Sequence, residues 1–223
     1  MSLLIRYSGL CDYPDSYRRM VEFTQNRDQA TRDEFWFLQH PPVYTLGLAG
    51  KAEHLLDTGK IPVIRTDRGG QVTYHGPGQL MVYLLIDLKR KHISIRTLVD
   101  SIEQTIIDML AGLGLQGHRR PGAPGVYIDG NKLAALGIRV RNGCSYHGFC
   151  LNVDLDVSPY QGINPCGYAG LEATRLKDYG ITMDVWQTAG KLLPYLLKNL
   201  AYEPDDVEVI NEAEESGRLE ATA

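Results

Sequence analysis

The chain has 223 residues, of which 43% are hydrophobic and 22% are charged, and its formal net charge is -4. This length and apolar content are enough for one full hydrophobic core, so we expect one compact, enzyme-sized domain, or at most two small ones. The acidic balance leaves no basic excess to neutralise phosphates, which argues against nucleic-acid binding. Four cysteines without a leader sequence or a membrane-spanning apolar run predict reduced thiols in a cytoplasmic protein.

The first half of the chain predicts short strands around one helix. A helix is expected at Asp15–Ala30, after Pro14. Apolar and aromatic runs bounded by Gly and Pro predict the strands. They are Ser2–Tyr7, Glu34–Gln39, Val43–Leu48, Ile61–Arg65 and Leu80–Leu88, the last two as buried strands.

The second half predicts two helices and a tail. Apolar residues recur at helical spacing from Ser94 to Leu110, with Ser94 as the N-cap and Gly112 after the end. A second helix is expected at Asp184–Leu200. From Pro204 the sequence becomes acidic and polar, which predicts that residues 1–203 form a single domain and 204–223 a flexible tail.

Asn142-Gly143 predicts a type I′ β-hairpin, because both central positions of that turn need φ > 0. Pairing outward from the turn sets Ile138 against His147, Gly137 against Gly148 and Ala135 against Cys150. Alternation then places Ala135, Gly137, Gly148 and Cys150 on one face. This face is either a trough for an alkyl chain or a close crossing of chain segments. The same alternation places His147 with Leu136, Ile138 and Phe149, in a structural role.

Two residues stand out for chemistry. Cys166 lies in the loop INPCGYAG, which can present a thiol, although a small buried core residue is the alternative. A nucleophilic cysteine must be a thiolate, and a nearby cation lowers the thiol pKa from about 8.5. Lys132, after the Asp129-Gly130 turn at the rim of a hairpin, is the candidate cation, and an ordinary solvated charge is the alternative. His75 and His147 are alternative bases.

The segment RGGQVTYHGPGQ, residues 68–79, is rich in glycine and polar side chains, so backbone amides can approach a polar ligand closely. It does not match the nucleotide-binding glycine motifs, and an elaborate turn is the alternative. Cys144, His147 and Cys150 have a spacing that suggests zinc. In a strand, however, the two cysteines face away from the histidine and a fourth ligand is missing, so we expect no metal.

Three stretches, RGGQVTYHGPGQ, PGVYIDGNKLAALGIRVRNGCSYHGF and LNVDLDVSPYQGINPCGYAG, closely resemble the signature stretches of bacterial lipoyl(octanoyl) transferases. The resemblance implies an α/β (α+β) fold of mixed sheets flanked by helices, like the catalytic domain of biotin and lipoate protein ligases. It also implies the first step of protein lipoylation. In that step an octanoyl (or lipoyl) group passes from acyl carrier protein to a lysine of the lipoyl domains of 2-oxoacid dehydrogenases or of the glycine cleavage H protein, without a cofactor.

Carried over position by position, the resemblance makes Cys166 the acyl-thioester nucleophile and Lys132 the residue that lowers its pKa. Three segments match the family's acyl-substrate segments, and one of them contains Cys150 where relatives often have alanine. They are Arg68, Gly69, Gly70, Gln71, Val72, Thr73, Tyr74 and His75; Ala135, Leu136 and Gly137; and Gly148, Phe149 and Cys150. The alternative functions are an ATP-dependent lipoate or biotin ligase, and a non-catalytic module that binds acyl chains or carrier proteins.

Overall fold

The computed structural model describes residues 2–168 and 170–212, with the backbone alone at Cys166, and in these residues it contains ten strands and three α-helices. The strands are β1 (Leu3–Leu10), β2 (Asp33–Gln39), β3 (Val43–Leu46), β4 (Val63–Arg65), β5 (Val72–His75), β6 (Gln79–Leu85), β7 (Gly125–Ile128), β8 (Asn131–Arg141), β9 (Cys144–Asn152) and β10 (Val207–Asn211). The helices are α1 (Tyr13–Gln25), α2 (Ile95–Ala111) and α3 (Val185–Asn199).

Seven strands form a mixed sheet in the order β10-β1-β2-β6-β9-β8-β7, and three form a small sheet in the order β4-β3-β5. In the large sheet β1 pairs in parallel with β10 and β2, whereas the remaining neighbours are antiparallel. The expected class of mixed sheets flanked by helices is confirmed.

The two faces of the large sheet carry different helices. Leu98 of α2 and Leu192 of α3 belong to the larger core with Val82 of β6, whereas Met20 of α1 packs with Met81. Neighbouring residues of β6 therefore point to opposite cores, and every residue of the strand is buried. Burial on both faces explains why this strand is a continuous apolar run in the sequence.

The predicted helix starts are confirmed where a side chain caps the helix. Ser94 accepts a hydrogen bond from the backbone N–H of Thr97 at 3.0 Å and begins α2, as predicted. Helix α3 begins after Asp184, also as predicted. Helix α1 ends at Gln25, five residues before the predicted end. The Asp28 side chain accepts the backbone N–H groups of Ala30 and Thr31 there, which forms a turn in place of further helix.

Two expectations from the sequence were wrong. Strand β4 was expected to be buried, but it is an edge strand of the small sheet with Val63 exposed. The expected flexible tail instead contains β10, which pairs with β1. Apolar content alone could not predict β10, because its parallel hydrogen bonds come from the distant strand β1. Residues 213–223 of the expected tail lie outside the described residues.

The predicted hairpin register is confirmed, with Ile138 opposite His147, Gly137 opposite Gly148 and Ala135 opposite Cys150. The predicted face of His147 is wrong. Its φ angle is 59°, which is unusual for a residue other than glycine, and its ring stacks on Tyr17 of α1 instead of facing the core that contains Phe149.

No helix in the described part of the chain is both long and apolar enough to cross a membrane. Within the same residues, no group of three or more His, Cys, Asp or Glu side chains is arranged to hold a metal ion.

Candidate active site

Lys132 is buried, with only 6% of its surface exposed, which is rare for lysine and excludes a merely solvated charge. It follows a tight turn in which Asp129 and Gly130 both have positive φ. Its Nζ lies 5.4 Å from the centroid of the Tyr127 ring, within the range of a cation–π contact. A Cβ on Gly125 would lie 2.7 Å from Lys132 Cε, so the glycine makes room for the lysine side chain.

The segment after Cys166 returns to flank Lys132. The backbone N–H of Lys132 donates to the carbonyl of Glu172 at 2.8 Å, and its carbonyl accepts from the N–H of Thr174 at 2.9 Å. These two bonds fix the 172–174 segment beside β8 in parallel. The cysteine loop and the lysine strand are therefore held together by backbone, independently of either side chain.

Cys166 occupies the centre of a 3₁₀ turn, Pro165–Gly167. The N–H of Gly167 donates to the carbonyl of Asn164 at 3.0 Å, and the N–H of Asn164 donates to the carbonyl of His54 at 2.9 Å. Gly167 has a φ of 76°, a conformation that glycine adopts readily. The turn is thus anchored at the residues on both sides of the cysteine.

Two adjoining cavities connect this turn with the acyl-binding residues expected from the sequence. The reactive cavity is lined by Thr73, Lys132, Leu133, Ala134, Ala135, Asn152, Tyr160, Pro165, Glu172 and Ala173. The inner cavity is lined by Tyr13, Arg68, Gly70, Gln71, Val72, Thr73, His75, Met81, Tyr83, Ala135, Leu136, Gly137, His147, Gly148, Phe149 and Cys150. They share Thr73 and Ala135. The lining of the inner cavity presents more apolar than polar surface.

Twelve of the fourteen predicted acyl-binding residues line the inner cavity. The two exceptions are Gly69 and Tyr74. Gly69 donates its N–H to the carbonyl of Ile138 at 3.2 Å and borders a groove on the other side of β8. Tyr74 packs with Tyr44 and Tyr160 in the core of the small sheet. Both residues therefore support the loop and do not line the cavity.

The paired glycines of β8 and β9 satisfy both interpretations of the sequence. Gly137 and Gly148 line the inner cavity, yet each also marks a close approach of chain segments. A Cβ on Gly148 would lie 2.0 Å from the carbonyl oxygen of Val82 on β6, and a Cβ on Gly137 would lie 3.0 Å from the carbonyl oxygen of Gly69. The cavity wall is thus backbone that is already in contact with its neighbours.

Arg68 fixes the glycine-rich loop. Its guanidinium is buried and donates from Nε to the hydroxyl of Thr45 at 3.0 Å and from Nη2 to the carbonyl of Gln71 at 2.8 Å. It also donates from Nη1 to the carbonyl of Gly69 at 2.9 Å. An arginine that bonds both Thr45 and the loop's own carbonyls holds the loop against β3 and makes this side of the cavity rigid.

His75 continues this network as a neutral side chain. Its Nδ1 donates to Gln79 Oε1 at 2.7 Å, and its Nε2 accepts from the Thr45 hydroxyl at 3.1 Å. Burial, with smaller contributions from nearby His40 and Arg68, lowers the pKa of His75 to about 3. Burial also lowers the pKa of His40 to about 4. With both nitrogens of its ring occupied, His75 is a poor candidate for the base that was one alternative from the sequence.

Comparison with known proteins identifies the family. Residues 12–196 match the family model described as the lipoyl protein ligase A/B catalytic domain. The chain is 54% identical over 201 residues to an octanoyltransferase of Chromobacterium violaceum, covering 90% of this chain and 97% of that one. It is 57% identical over 200 residues to an octanoyltransferase of an Azoarcus species, covering 89% and 88%. The chain belongs to the octanoyltransferase family.

Solved structures share the fold of this octanoyltransferase-family chain at low identity. A putative lipoate protein ligase of Thermoplasma acidophilum matches with a TM-score of 0.75 at 15% identity, covering 97% of this chain and 92% of that one. Biotin protein ligase of Aquifex aeolicus matches with a TM-score of 0.56 at 13% identity, covering 90% and 69%. The expected relation to the ligase fold is confirmed.

Several residues of the candidate site were not predicted from the sequence. His54 lies beside the cysteine turn, where a Cβ on Gly167 would be 3.3 Å from its Nε2. Tyr13 and Tyr83 line the inner cavity from α1 and β6. Asp67, directly before Arg68, accepts a hydrogen bond from His147. Asp67 could have been predicted because it is a polar residue directly before the glycine-rich loop. The two tyrosines gave no such signal, because tyrosine is common in hydrophobic cores.

Proposed function

We propose that the protein transfers an octanoyl (or lipoyl) group from acyl carrier protein to a specific lysine of a lipoyl domain, through a thioester on Cys166. The observation that carries the proposal is the buried Lys132 on a cavity that Pro165, next to Cys166, also lines. A cation held there favours the thiolate and lowers the thiol pKa. The largely apolar inner cavity beside it offers contact surface for an alkyl chain.

In the first half-reaction the Cys166 thiolate attacks the carbonyl carbon of the carrier thioester. The bond between this carbon and the carrier sulfur breaks, and the departing sulfur takes a proton from the Lys132 ammonium. In the second half-reaction the acceptor amine attacks the acyl-enzyme, neutral Lys132 takes the amine proton, and Cys166 leaves as a thiolate. Atoms and charges balance without ATP or a metal, because the donor is already a thioester.

The proposed donor is octanoyl-acyl carrier protein, and the proposed acceptors are the lipoyl domains of 2-oxoacid dehydrogenases and the glycine cleavage H protein. The names of the relatives support octanoyl transfer. One solved structure with the same fold is described as an archaeal bi-partite lipoate protein ligase and its E2 lipoyl domain. We place the protein in the cytoplasm, since Cys11 and Cys144 are reduced thiols, which suits a reducing compartment.

The decisive experiment is intact-mass analysis after mixing the protein with octanoyl-acyl carrier protein. We expect one octanoyl adduct, its loss in Cys166→Ala, and its retention in the matched control Cys11→Ala. Adding a lipoyl domain should discharge the adduct and acylate the domain. Free octanoate with ATP should give no acylated domain; if it does, the ligase activity is the correct one. A Cys166→Ala variant that still transfers octanoyl contradicts the proposal.

A further inference from the structure

His147 has an unusual backbone conformation at one end of the inner cavity. Its φ of 59° lies in the left-handed region although it sits inside strand β9. Such conformations cost about 1–3 kcal/mol and cluster at functional sites. The conformation turns the ring out of the core of α2 and α3, and onto Tyr17, with ring centroids 5.3 Å apart, and beside Tyr83, at 6.4 Å.

Asp67 orients this ring. His147 Nε2 donates to Asp67 Oδ1 at 3.0 Å, and the hydroxyl of Tyr146 donates to Oδ2 of the same carboxylate. Burial alone would raise the pKa of Asp67, but hydrogen bonds from His147, Tyr146 and Tyr17 lower it below its usual value. Burial lowers the pKa of His147 more than Asp67 raises it. At neutral pH the pair is therefore a carboxylate and a neutral imidazole with its proton on Nε2.

The other ring nitrogen of His147, Nδ1, is buried and has no hydrogen-bond partner among the described residues, and only 1% of the residue is exposed. His147 lines the inner cavity, whereas Asp67 does not. With Nε2 bonded to Asp67, Nδ1 carries a lone pair that can only accept. A buried acceptor left unpaired costs about 1–3 kcal/mol, so a donor on a bound molecule would find a site that is already oriented.

This acceptor lies at the end of the cavity farthest from the reaction. His147 pairs with Ile138, which is three residues along β8 from Ala135, where the two cavities meet, or about 10 Å at the usual rise per residue. An acyl chain that starts at Cys166 and enters through the wall shared at Thr73 and Ala135 points its last carbons toward Tyr83 and His147.

We propose that His147 Nδ1, oriented by Asp67, is a hydrogen-bond acceptor subsite for acyl groups that carry a hydroxyl or thiol on their distal carbons. The proposal rests on the proposed function and extends it from plain octanoyl to a class of polar eight-carbon chains. A hydroxyl that donates to Nδ1 regains a hydrogen bond that it lost on leaving water. A ketone oxygen in the same place would instead set one acceptor against another.

The test compares transfer of hydroxyoctanoyl and oxooctanoyl groups from acyl carrier protein, with the substituent at carbon 5, 6 or 7, and with plain octanoyl in the same assay. At one of the positions we expect kcat/KM for the hydroxyl chain to exceed that for the oxo chain by about tenfold. Equal values at all three positions overturn the proposal. Failure of plain octanoyl to form an adduct would instead overturn the proposed function, so the two failures are distinguishable.

Two variants test the orientation of the ring. Asp67→Asn replaces a carboxylate, which only accepts, by an amide that can also donate to Nε2. His147 can then carry its proton on Nδ1, so the ratio of kcat/KM for the hydroxyl chain to that for the oxo chain should fall by about fivefold. His147→Asn, which tolerates positive φ, should abolish the preference. Asp15→Asn makes the same chemical change on the exposed side of α1 and should keep the wild-type ratio. A ratio that is unchanged in folded Asp67→Asn and His147→Asn contradicts the assignment.

Discussion

The two ends of the cavity system bury titratable groups in opposite ways. At the reactive end the buried group is Lys132, held by backbone bonds to the 172–174 segment and by the space that Gly125 leaves. Around the inner cavity the buried groups are histidines, and burial lowers their pKa so that they stay neutral. In the proposed function a thiolate forms beside Lys132 and an alkyl chain is buried in the inner cavity, so a cation suits the first place and neutral hydrogen-bonding rings suit the second.

Removing the cation breaks the reactive end and has the largest expected effect. Lys132→Met should lower octanoyl transfer by about a thousandfold, equivalent to about 4 kcal/mol, because in the proposed mechanism Lys132 acts in both half-reactions. It should also raise the pH at which iodoacetamide alkylates Cys166, since the thiolate loses its cation. Lys177→Met, which removes an exposed lysine paired with Asp154, is the matched control. An alkylation profile that does not shift would assign the tuning of the thiol to another group, with His54 the first to test.

Protonating the histidines around the inner cavity removes this contrast. His40 and His75 have a folded pKa of about 4 and about 3, below the unfolded value of about 6.5. The unfolded chain therefore binds more protons, and stability that is complete above pH 6.5 is lost as the pH falls toward the folded values. Between pH 7 and pH 5 we expect a loss of about 2 kcal/mol per histidine in urea unfolding.

The variant His75→Gln should lose about half of this acid dependence, whereas His118→Gln, at an exposed position, should keep all of it. The same acid dependence in wild type and in His75→Gln would mean that His75 is not buried neutral, and the contrast between the two ends would then be incorrect.

The glycine pair lies between the two ends and tests how rigid their connection is. Gly148→Ala places a Cβ 2.0 Å from the backbone of β6 and should destabilise the fold by about 3 kcal/mol. Gly137→Ala meets the Arg68–Gly69 loop at 3.0 Å and should cost about 1 kcal/mol. Gly190→Ala, in helix α3 with open space around it, should instead stabilise by a few tenths to about 1 kcal/mol. Chemical denaturation measures all three, and similar losses in Gly148→Ala and Gly137→Ala would contradict the packing described for β6.

Truncation affects neither end and has the smallest expected effect on transfer. Deleting residues 204–223 removes β10 and the ion pair between Arg6 and Glu212. We expect about 1–2 kcal/mol lower stability, as for the loss of a short, exposed edge strand, with transfer changed by less than threefold. Deleting residues 213–223 alone is the control. A thermal melt that is identical for both truncations would show that β10 contributes nothing to stability.

The sequence alone determined the features that depend on local chemistry. Asn142-Gly143 predicted the hairpin and its register because only one turn type suits those residues, and Ser94 and Asp184 predicted helix starts because a side chain caps its own helix. Most residues that line the inner cavity were also named from the sequence, through their resemblance to a family whose motifs are contiguous in sequence.

Tertiary structure decided what depends on distant partners. Strand β10 exists because β1 offers it parallel hydrogen bonds, which no local pattern can reveal. The burial of Lys132 depends on Glu172, Thr174 and Gly125, none of them its sequence neighbours. His147 breaks the alternation of its own strand because Asp67, 80 residues away, binds its ring on the opposite face. Alternation follows from backbone geometry, but a charged hydrogen bond and ring stacking can outweigh the strain of one left-handed residue.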